Sequence, residues 1–361
     1  MIEFDHGLLI GKFYPPRLGH HAGIRAAAGQ CRRFTVLVMS AAVESISLEQ
    51  RAAWLREEHR EDTNVRVVGV RCDAPLDVTD EQVWTAQVAV MQAALRCSCA
   101  PTVDAVFCGD DYGDELAGRF GATAVRLDRY GSSTAVRRDL ASHWGELAPA
   151  TRAGLTTRVV VVGAESTGTT TVARALAAHY AARGGVWADT RCVPEYGREY
   201  TKIKHRHQGG QLRDLVWERD DFDIIAAEQT RQEEESARVG PPLLVCDTDA
   251  FATAVWERRY LAAAVRRGQI WTRVPPRAVY LVTDHQGVPW EDDGWREGER
   301  DLRAAMTQWF IDALTLAGHS WVLLTGDHSQ RMDLAIGTVD PLLNLRAKFE
   351  EPLHGPGFEG T

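Results

Sequence analysis

No apolar run in this chain reaches the length of a membrane span, and its first residues, MIEFDHGLLIGKF, carry acids where a signal peptide carries cations. The expectation is a cytoplasmic protein with no membrane partner. Positive charge is also scarce. Lys and Arg number 41 against 50 Asp and Glu, a net charge of −9, so a general affinity for nucleic acid or an anionic surface is not expected. Any phosphate site must be a local basic island. The 7 cysteines lack a pairing or metal-binding spacing. Cys97 and Cys99 are too close for a zinc knuckle, and Cys72, Cys108, Cys192 and Cys246 lie in or beside apolar strand-like runs. Reduced thiols in a cytosolic protein are the reading. What remains is an ordinary globular composition over 361 residues, enough for two domains.

One stretch organises the chain: RVVVVGAESTGTTTVARAL, residues 158–176. Its Val run ends in Gly163 and reads as a buried strand, and an amphipathic helix begins at Thr169. Between them, Gly163, Glu165, Ser166, Thr167 and Gly168 give the G-x-x-x-x-G spacing of a phosphate-binding loop. Its backbone N–H groups and the helix N-terminus suit phosphate oxygens, and Thr170, with Thr171 beside it, offers a hydroxyl for Mg²⁺. One residue breaks the pattern. Thr169 stands where the loop normally carries the lysine that charges the β- and γ-phosphates. A glycine turn without ligand is the plainer alternative.

The first half alternates strands (7–11, 34–39, 65–70, 103–108, 124–127) with helices (22–31, 47–58, 83–95, 114–120), which argues for a doubly wound parallel sheet. Ligands in such sheets sit at the carboxyl ends of the strands. Gly11, Lys12, Phe13, Arg17, Gly19 and His20 follow the first strand and open a helix, placing cations where a triphosphate would meet them. Ser133 and Thr134, with Arg137 one turn later, form a second anion-suited cluster. A solvated helix N-terminus without catalysis is the alternative for Arg17 and His20.

A small, polar linker is expected over 148–157. Beyond the phosphate loop, an apolar run at 243–246 ends in Asp247, the arrangement that holds Mg²⁺ beside a phosphate loop. Asp249 either shares the metal, positions a substrate, or caps the following helix. KIKHRHQGGQ, with Lys202, reads as a mobile, solvated loop or as a cationic flap. WEDDGWREGER reads as a lid whose Arg296 and Arg300 reach the transferring phosphoryl group and offset Thr169. Trp54 and Trp144 read as packing residues.

These segments together resemble one family. GKFYPPRLGHH is similar to the first motif of nucleotidyltransferases, and SSTAVR to their second. PEYGREY, LVCDTD followed by Thr253 and Trp256, and DDGWR are similar, in the same order, to segments of the NadR family. These are bifunctional nicotinamide mononucleotide adenylyltransferase/ribosylnicotinamide kinases. The resemblance spans nearly the whole chain. It departs at Arg17, where the family has His or Thr, and at the shortened LDRYG before SSTAVR.

The resemblance implies two α/β doubly wound domains: a Rossmann-like nucleotidyltransferase at 1–150 and a P-loop, AAA-type kinase at 151–348, with 349–361 a disordered tail. It implies ATP and Mg²⁺ as cofactors, and nicotinamide riboside, nicotinamide mononucleotide and NAD as small-molecule partners. Lys12, Arg17, His20 and Arg137 would serve adenylyl transfer. Asp249 or Glu195 would orient the riboside hydroxyl, and Trp256 would stack on nicotinamide. The loop 325–328 would lie near an adenine. Two other readings stay open: a nucleotide sensor that catalyses little, motivated by Arg17 and Thr169, and the same chemistry on another nucleoside. No helix-turn-helix precedes the first motif, which disfavours a DNA-binding repressor. Oligomeric state is not legible, and a homo-oligomer stays open.

Overall fold

The structure is a computed structural model that describes residues 2–75, 77, 79–100, 102–128, 131–261, 275–287 and 300–353. The chain divides into two compact units. One comprises Met1–Gly154 and the chain from Ala347 onward, the other Leu155–Arg346.

The first unit runs β1 (Phe4–Gly11), α1 (Leu18–Ala28), β2 (Cys31–Ser40), α2 (Leu48–Glu58), β3 (Val65–Arg71), α3 (Glu81–Cys97), β4 (Ala105–Cys108), α4 (Gly113–Phe120), β5 (Thr123–Arg126), α5 (Ser133–Arg138) and α6 (Pro149–Leu155). Its described strands form a parallel sheet in the order β3-β2-β1-β4-β5. The order reverses between β1 and β4, where a crevice opens at the strand carboxyl ends. Helix boundaries follow local chemistry. Ser47 and Gln50 form a capping box at α2, Asp80 accepts from two amides at the start of α3, and Gly121 ends α4 with φ 63°.

The second unit runs β6 (Thr157–Gly163), α7 (Thr169–Ala181), β7 (Cys192–Val193), α8 (Tyr196–Gln208), α9 (Arg219–Val239), β8 (Leu243–Asp247), α10 (Ala250–Leu261), β9 (Val279–Thr283), α11 (Arg300–Leu316), β10 (Trp321–Leu324) and α12 (His328–Arg346). Its parallel sheet has the order β10-β9-β6-β8-β7. The Val residues of β6 are buried to 2% exposure or less, as a central strand covered on both faces requires. Both units are α/β with all-parallel sheets.

Three segments differ from expectation. The expected linker contains helix α6, with Ala150, Thr151 and Ala153 buried. Its Gly154 lies so close to the Trp54 ring that a Cβ there would sit 2.2 Å from it. KIKHRHQ is helical, the last two turns of α8, because cations at a helix C-terminus complement its dipole. The described start of the expected tail packs on the first unit. Phe349 meets the Tyr14 ring edge-on at 5.9 Å, and the Glu350 N–H donates to Ser45 Oγ at 2.7 Å. Trp54 and Trp144 are buried, as expected of packing residues. Among the described residues, no helix is long and apolar enough to cross a membrane. The cysteines are all free thiols.

Candidate functional sites

In the first unit, a cavity of about 330 Å³ sits at the carboxyl ends of β1 and β4. Gly11, Lys12, Phe13, Arg17, Gly19 and His20 line one end, together with Ser133, Thr134 and Arg137. Both motifs line this one cavity. Phe13 adopts φ 47°, turning the chain so that its ring packs edge-on to His20 at 5.1 Å. The Arg17 N–H donates to His20 Nδ1 at 3.1 Å, which leaves the neutral imidazole proton on Nε2. His20 is thereby held as a donor.

Arg17 is buried, and its guanidinium is already engaged. Nε donates to Ser133 Oγ at 3.0 Å, Nη2 to the Gly131 carbonyl at 3.2 Å, and Nη1 lies 3.7 Å from Glu146. Arg17 thereby ties the first motif to the second. Arg137 donates to the Tyr14 carbonyl at 3.0 Å and Thr134 Oγ1 at 3.3 Å, and pairs with Glu351 at 3.4 Å. Lys12 Nζ lies 2.6 Å from Glu44, which also takes Arg51 at 2.6 Å. Burial pushes the Glu44 carboxyl up, but Lys12 and Arg51 outweigh it and hold it below the usual range. Glu44 and Arg51 carried no sequence signal, because Lys12, which they meet, lies 32 and 39 residues away.

The other end of this cavity is aromatic and apolar. Trp84 and Tyr112 stand 6.0 Å apart, and Met91, Leu116, Asp77 and Asp110 also line the cavity. The helical pattern of α3 did not distinguish Trp84 from a packing residue.

In the second unit, a cavity of about 130 Å³ opens above the phosphate loop. Gly163, Glu165, Ser166, Thr169, Thr170, Glu195 and Asp247 line it, with Arg198 and Trp256. Gly163 permits a close approach: a Cβ there would sit 2.2 Å from Thr283 Oγ1. Gly168 takes φ 88° at the turn into α7. Thr170 Oγ1 donates to Asp247 Oδ2 at 2.6 Å, so a hydroxyl and a carboxylate share one point beside the loop. These are hard oxygen donors and fit Mg²⁺ completed by phosphate oxygens and water. Among the described residues no cluster of three or more His, Cys, Asp or Glu could hold a metal by itself.

An aromatic wall also lines this cavity, with the Tyr260 hydroxyl donating to Glu165 of the loop at 3.5 Å. Trp256 stacks near Tyr260 at 6.3 Å and 25°, and Trp217 lies 5.0 Å from Tyr260. Trp217 and Tyr260 were not singled out in the sequence, since they come from different segments.

Several expected residues lie elsewhere. Asp249 is fully buried outside the cavity lining. Its carboxylate accepts from the Ala252 N–H at 3.0 Å, Arg277 Nε at 3.0 Å and the Tyr280 hydroxyl at 2.8 Å. It is therefore the helix cap rather than a metal ligand or proton acceptor. The cause is Thr248, a β-branched residue at φ 70°, which turns the chain between the two aspartates. The Thr167 side chain is buried and bonds the Ala164 carbonyl and Thr283, leaving only its backbone for a ligand. Thr171 is exposed and outside the lining. Lys202 pairs with Glu199 at 3.5 Å, also outside the lining. Arg296 and the Arg300 side chain lie outside the described residues.

Two arginines that sequence reasoning missed reach the phosphate loop from outside. Arg303 Nη2 donates to the Ser166 carbonyl at 3.0 Å, and Arg331 Nη1 to the Thr167 carbonyl at 2.7 Å.

A family model described as an AAA domain matches residues 158–331. Two solved structures match over 95% of the chain. The fold is that of NadR. A NadR protein in complex with NR superposes with a TM-score of 0.61 at 20% identity, covering 95% of this chain and 97% of its own. A NadR protein in complex with NAD and AMP-PNP gives the same score and identity, covering 95% and 98%. No curated protein matches the chain. At this identity the NadR likeness speaks for the fold.

Proposed function

We propose that this chain is a transferase of NAD salvage, working in the cytoplasm on small nucleosides and nucleotides with ATP and Mg²⁺. Its second unit phosphorylates nicotinamide riboside. Its first unit joins nicotinamide mononucleotide to the AMP part of ATP. The observation that carries the reading is the Thr170–Asp247 contact at 2.6 Å, set between a glycine loop and an aromatic wall. A metal–triphosphate and a flat base each find their chemistry there.

In the second unit the riboside 5′-oxygen attacks the γ-phosphorus, the bond to the β-phosphate oxygen breaks, and ADP leaves. Glu195, at the N-cap of α8 and in the cavity lining, accepts the hydroxyl proton in place of Asp249. Thr170 and Asp247 would hold the metal, which when bound neutralises charge on the β- and γ-oxygens. Trp256 and Tyr260 flank the base. In the first unit a mononucleotide phosphate oxygen attacks the α-phosphorus and pyrophosphate leaves. His20 Nε2 and Arg137 stabilise the developing charge, with Lys12 at the cavity edge, and no covalent protein intermediate is needed.

A second reading has its own support. Because Arg17 is occupied by Ser133 and Gly131, the first unit would bind nucleotide and transfer slowly, as a sensor would. One assay separates the readings. Purified protein is given ATP and Mg²⁺ with either the riboside or the mononucleotide, and products are separated by chromatography. The transferase reading expects mononucleotide and ADP from the first mixture, and NAD and pyrophosphate from the second. Nucleotide binding by calorimetry with neither product formed would overturn it in favour of the sensor.

A further inference from the structure

The phosphate loop has Thr169 where a lysine would meet the β- and γ-phosphates, so its positive field must come from elsewhere. On the cavity side Arg198 lines the pocket from α8, the helix that Glu195 caps, rather than from the loop itself. Lys202 is paired with Glu199 and lies outside the lining. Behind the loop the chemistry is different. Arg303 of α11 and Arg331 of α12 are buried, at 7% and 2% exposure. Arg303 Nη2 donates to the carbonyls of Ser166 at 3.0 Å and His285 at 3.4 Å. Arg331 donates to Thr167 at 2.7 Å, Asp284 at 2.9 Å, Gln286 at 3.0 Å and Gly326 at 2.9 Å, all through backbone carbonyls.

Their described hydrogen-bond partners are neutral oxygens. Elsewhere in the chain buried cations meet carboxylates, as Arg277 does with Glu233 and Arg51 with Glu44. Arg331 is met by four carbonyls, whereas Arg303 donates through Nη2 alone and its buried Nε has no hydrogen-bond partner among the described residues. A guanidinium facing carbonyls keeps its full charge in a medium that screens it weakly. Burial pushes both guanidiniums down, and Asp284 opposes this at Arg331. An arginine nevertheless stays protonated.

Geometry carries the charge forward. In a trans peptide the C=O and the following N–H point in opposite directions. A guanidinium on the Ser166 carbonyl therefore turns the Thr167 N–H away from itself, and one on the Thr167 carbonyl does the same for the Gly168 N–H. These amides belong to the loop that would wrap a phosphate, and Ser166 at φ 54° and Gly168 at φ 88° are held in left-handed conformations on either side. Each guanidinium both fixes and polarises its peptide unit.

We infer that Arg303 and Arg331 are positioning residues for the nucleotide phosphates, supplying through the 166–167 and 167–168 peptide units the positive field that a lysine at 169 would supply directly. The inference rests on the phosphoryl-transfer reading of this unit only in that the ligand is a nucleoside triphosphate.

The test is a double-mutant cycle on Arg303 and Thr169, read by calorimetric ATP affinity and by KM and kcat for ATP. Arg303→Ala should weaken ATP binding about tenfold or more, and Arg303→Lys should recover part of the loss. Thr169→Lys, which puts an ammonium in front of the loop, should strengthen ATP binding at least about fivefold more in the Arg303→Ala background than in the wild type. Arg303 is chosen because Arg331 holds more backbone carbonyls and its loss endangers folding; thermal melts check each variant. Unchanged ATP affinity in folded Arg303→Ala overturns the inference, as does additivity of the two substitutions. Calorimetry keeps the two failures apart. Coupling in ATP binding without riboside phosphorylation by the wild type sustains this inference while the kinase reading falls.

Discussion

Asp247 and Asp249 stand two residues apart and serve different neighbours: Asp247 meets Thr170 at 2.6 Å, while Asp249 meets Arg277 at 3.0 Å and Tyr280 at 2.8 Å. Their substitutions should therefore separate chemistry from stability. Asp247→Asn should lower kcat for riboside phosphorylation by about a hundredfold or more with little change in melting temperature. Asp249→Asn removes the buried carboxylate that accepts from Arg277 and Tyr280 and should cost about 3 kcal/mol of stability. Thermal melts and steady-state kinetics on both variants check this; a stable, inactive Asp249→Asn would return it to the catalytic role. Chelation with EDTA should abolish phosphorylation in the wild type.

Arg17 joins the two motifs of the first unit. Arg17→Ala removes the donors to Ser133 and Gly131, so NAD formation from the mononucleotide should fall about tenfold or more, with a lower melting temperature. Arg17→Lys should recover little, because one ammonium cannot span both acceptors. Full activity of Arg17→Ala would show that the tie is dispensable.

Trp256 and Tyr260 form the aromatic wall of the cavity at the phosphate loop. Trp256→Ala should raise KM for the riboside about tenfold, by loss of roughly 1.5 kcal/mol of stacking, while KM for ATP changes little. A rise confined to KM for ATP would place the base elsewhere.

The two units should respond to pH in opposite senses. Burial first, then the charges of His59 and Arg25, lower the His21 imidazole from 6.5 to about 3. Burial lowers His59 as well, against the pull of Asp62. The unfolded chain then binds more protons, so this contribution is present above pH 6.5 and is lost as pH falls toward about 3. In the second unit, burial and the charge of Asp249 raise the Glu233 carboxyl from 4.5 to about 7, against the pull of Arg277. Here the folded state binds more protons. That contribution is present below pH 4.5 and is lost as pH rises through about 7. Hydrogen exchange resolved by unit, between pH 5 and 8, should show the first unit loosening toward acid and the second toward base. His21→Asn and Glu233→Gln should each flatten their own unit's trend.

Much of this was legible in the chain itself. The run from Arg158 to Leu176 determined strand β6, the glycine loop and helix α7 locally, because Val branching, two glycines and a helical apolar stripe act over a few residues. Alternation of such segments determined the α/β class. KIKHRHQ was misread as a loop because its charges hid a helix that continues from Tyr196. What lay beyond the sequence was decided by partners distant in the chain. Arg17 finds Ser133, 116 residues away, and Arg331 finds Thr167, 164 away. Asp247 and Asp249 look alike in DTD, and only the left-handed turn at Thr248 and the burial of Arg277 assign one to the cavity and the other to the interior. Local sequence sets backbone preference, whereas the direction and charge state of a polar side chain depend on which groups share its desolvated surroundings, and those are assembled by the tertiary fold.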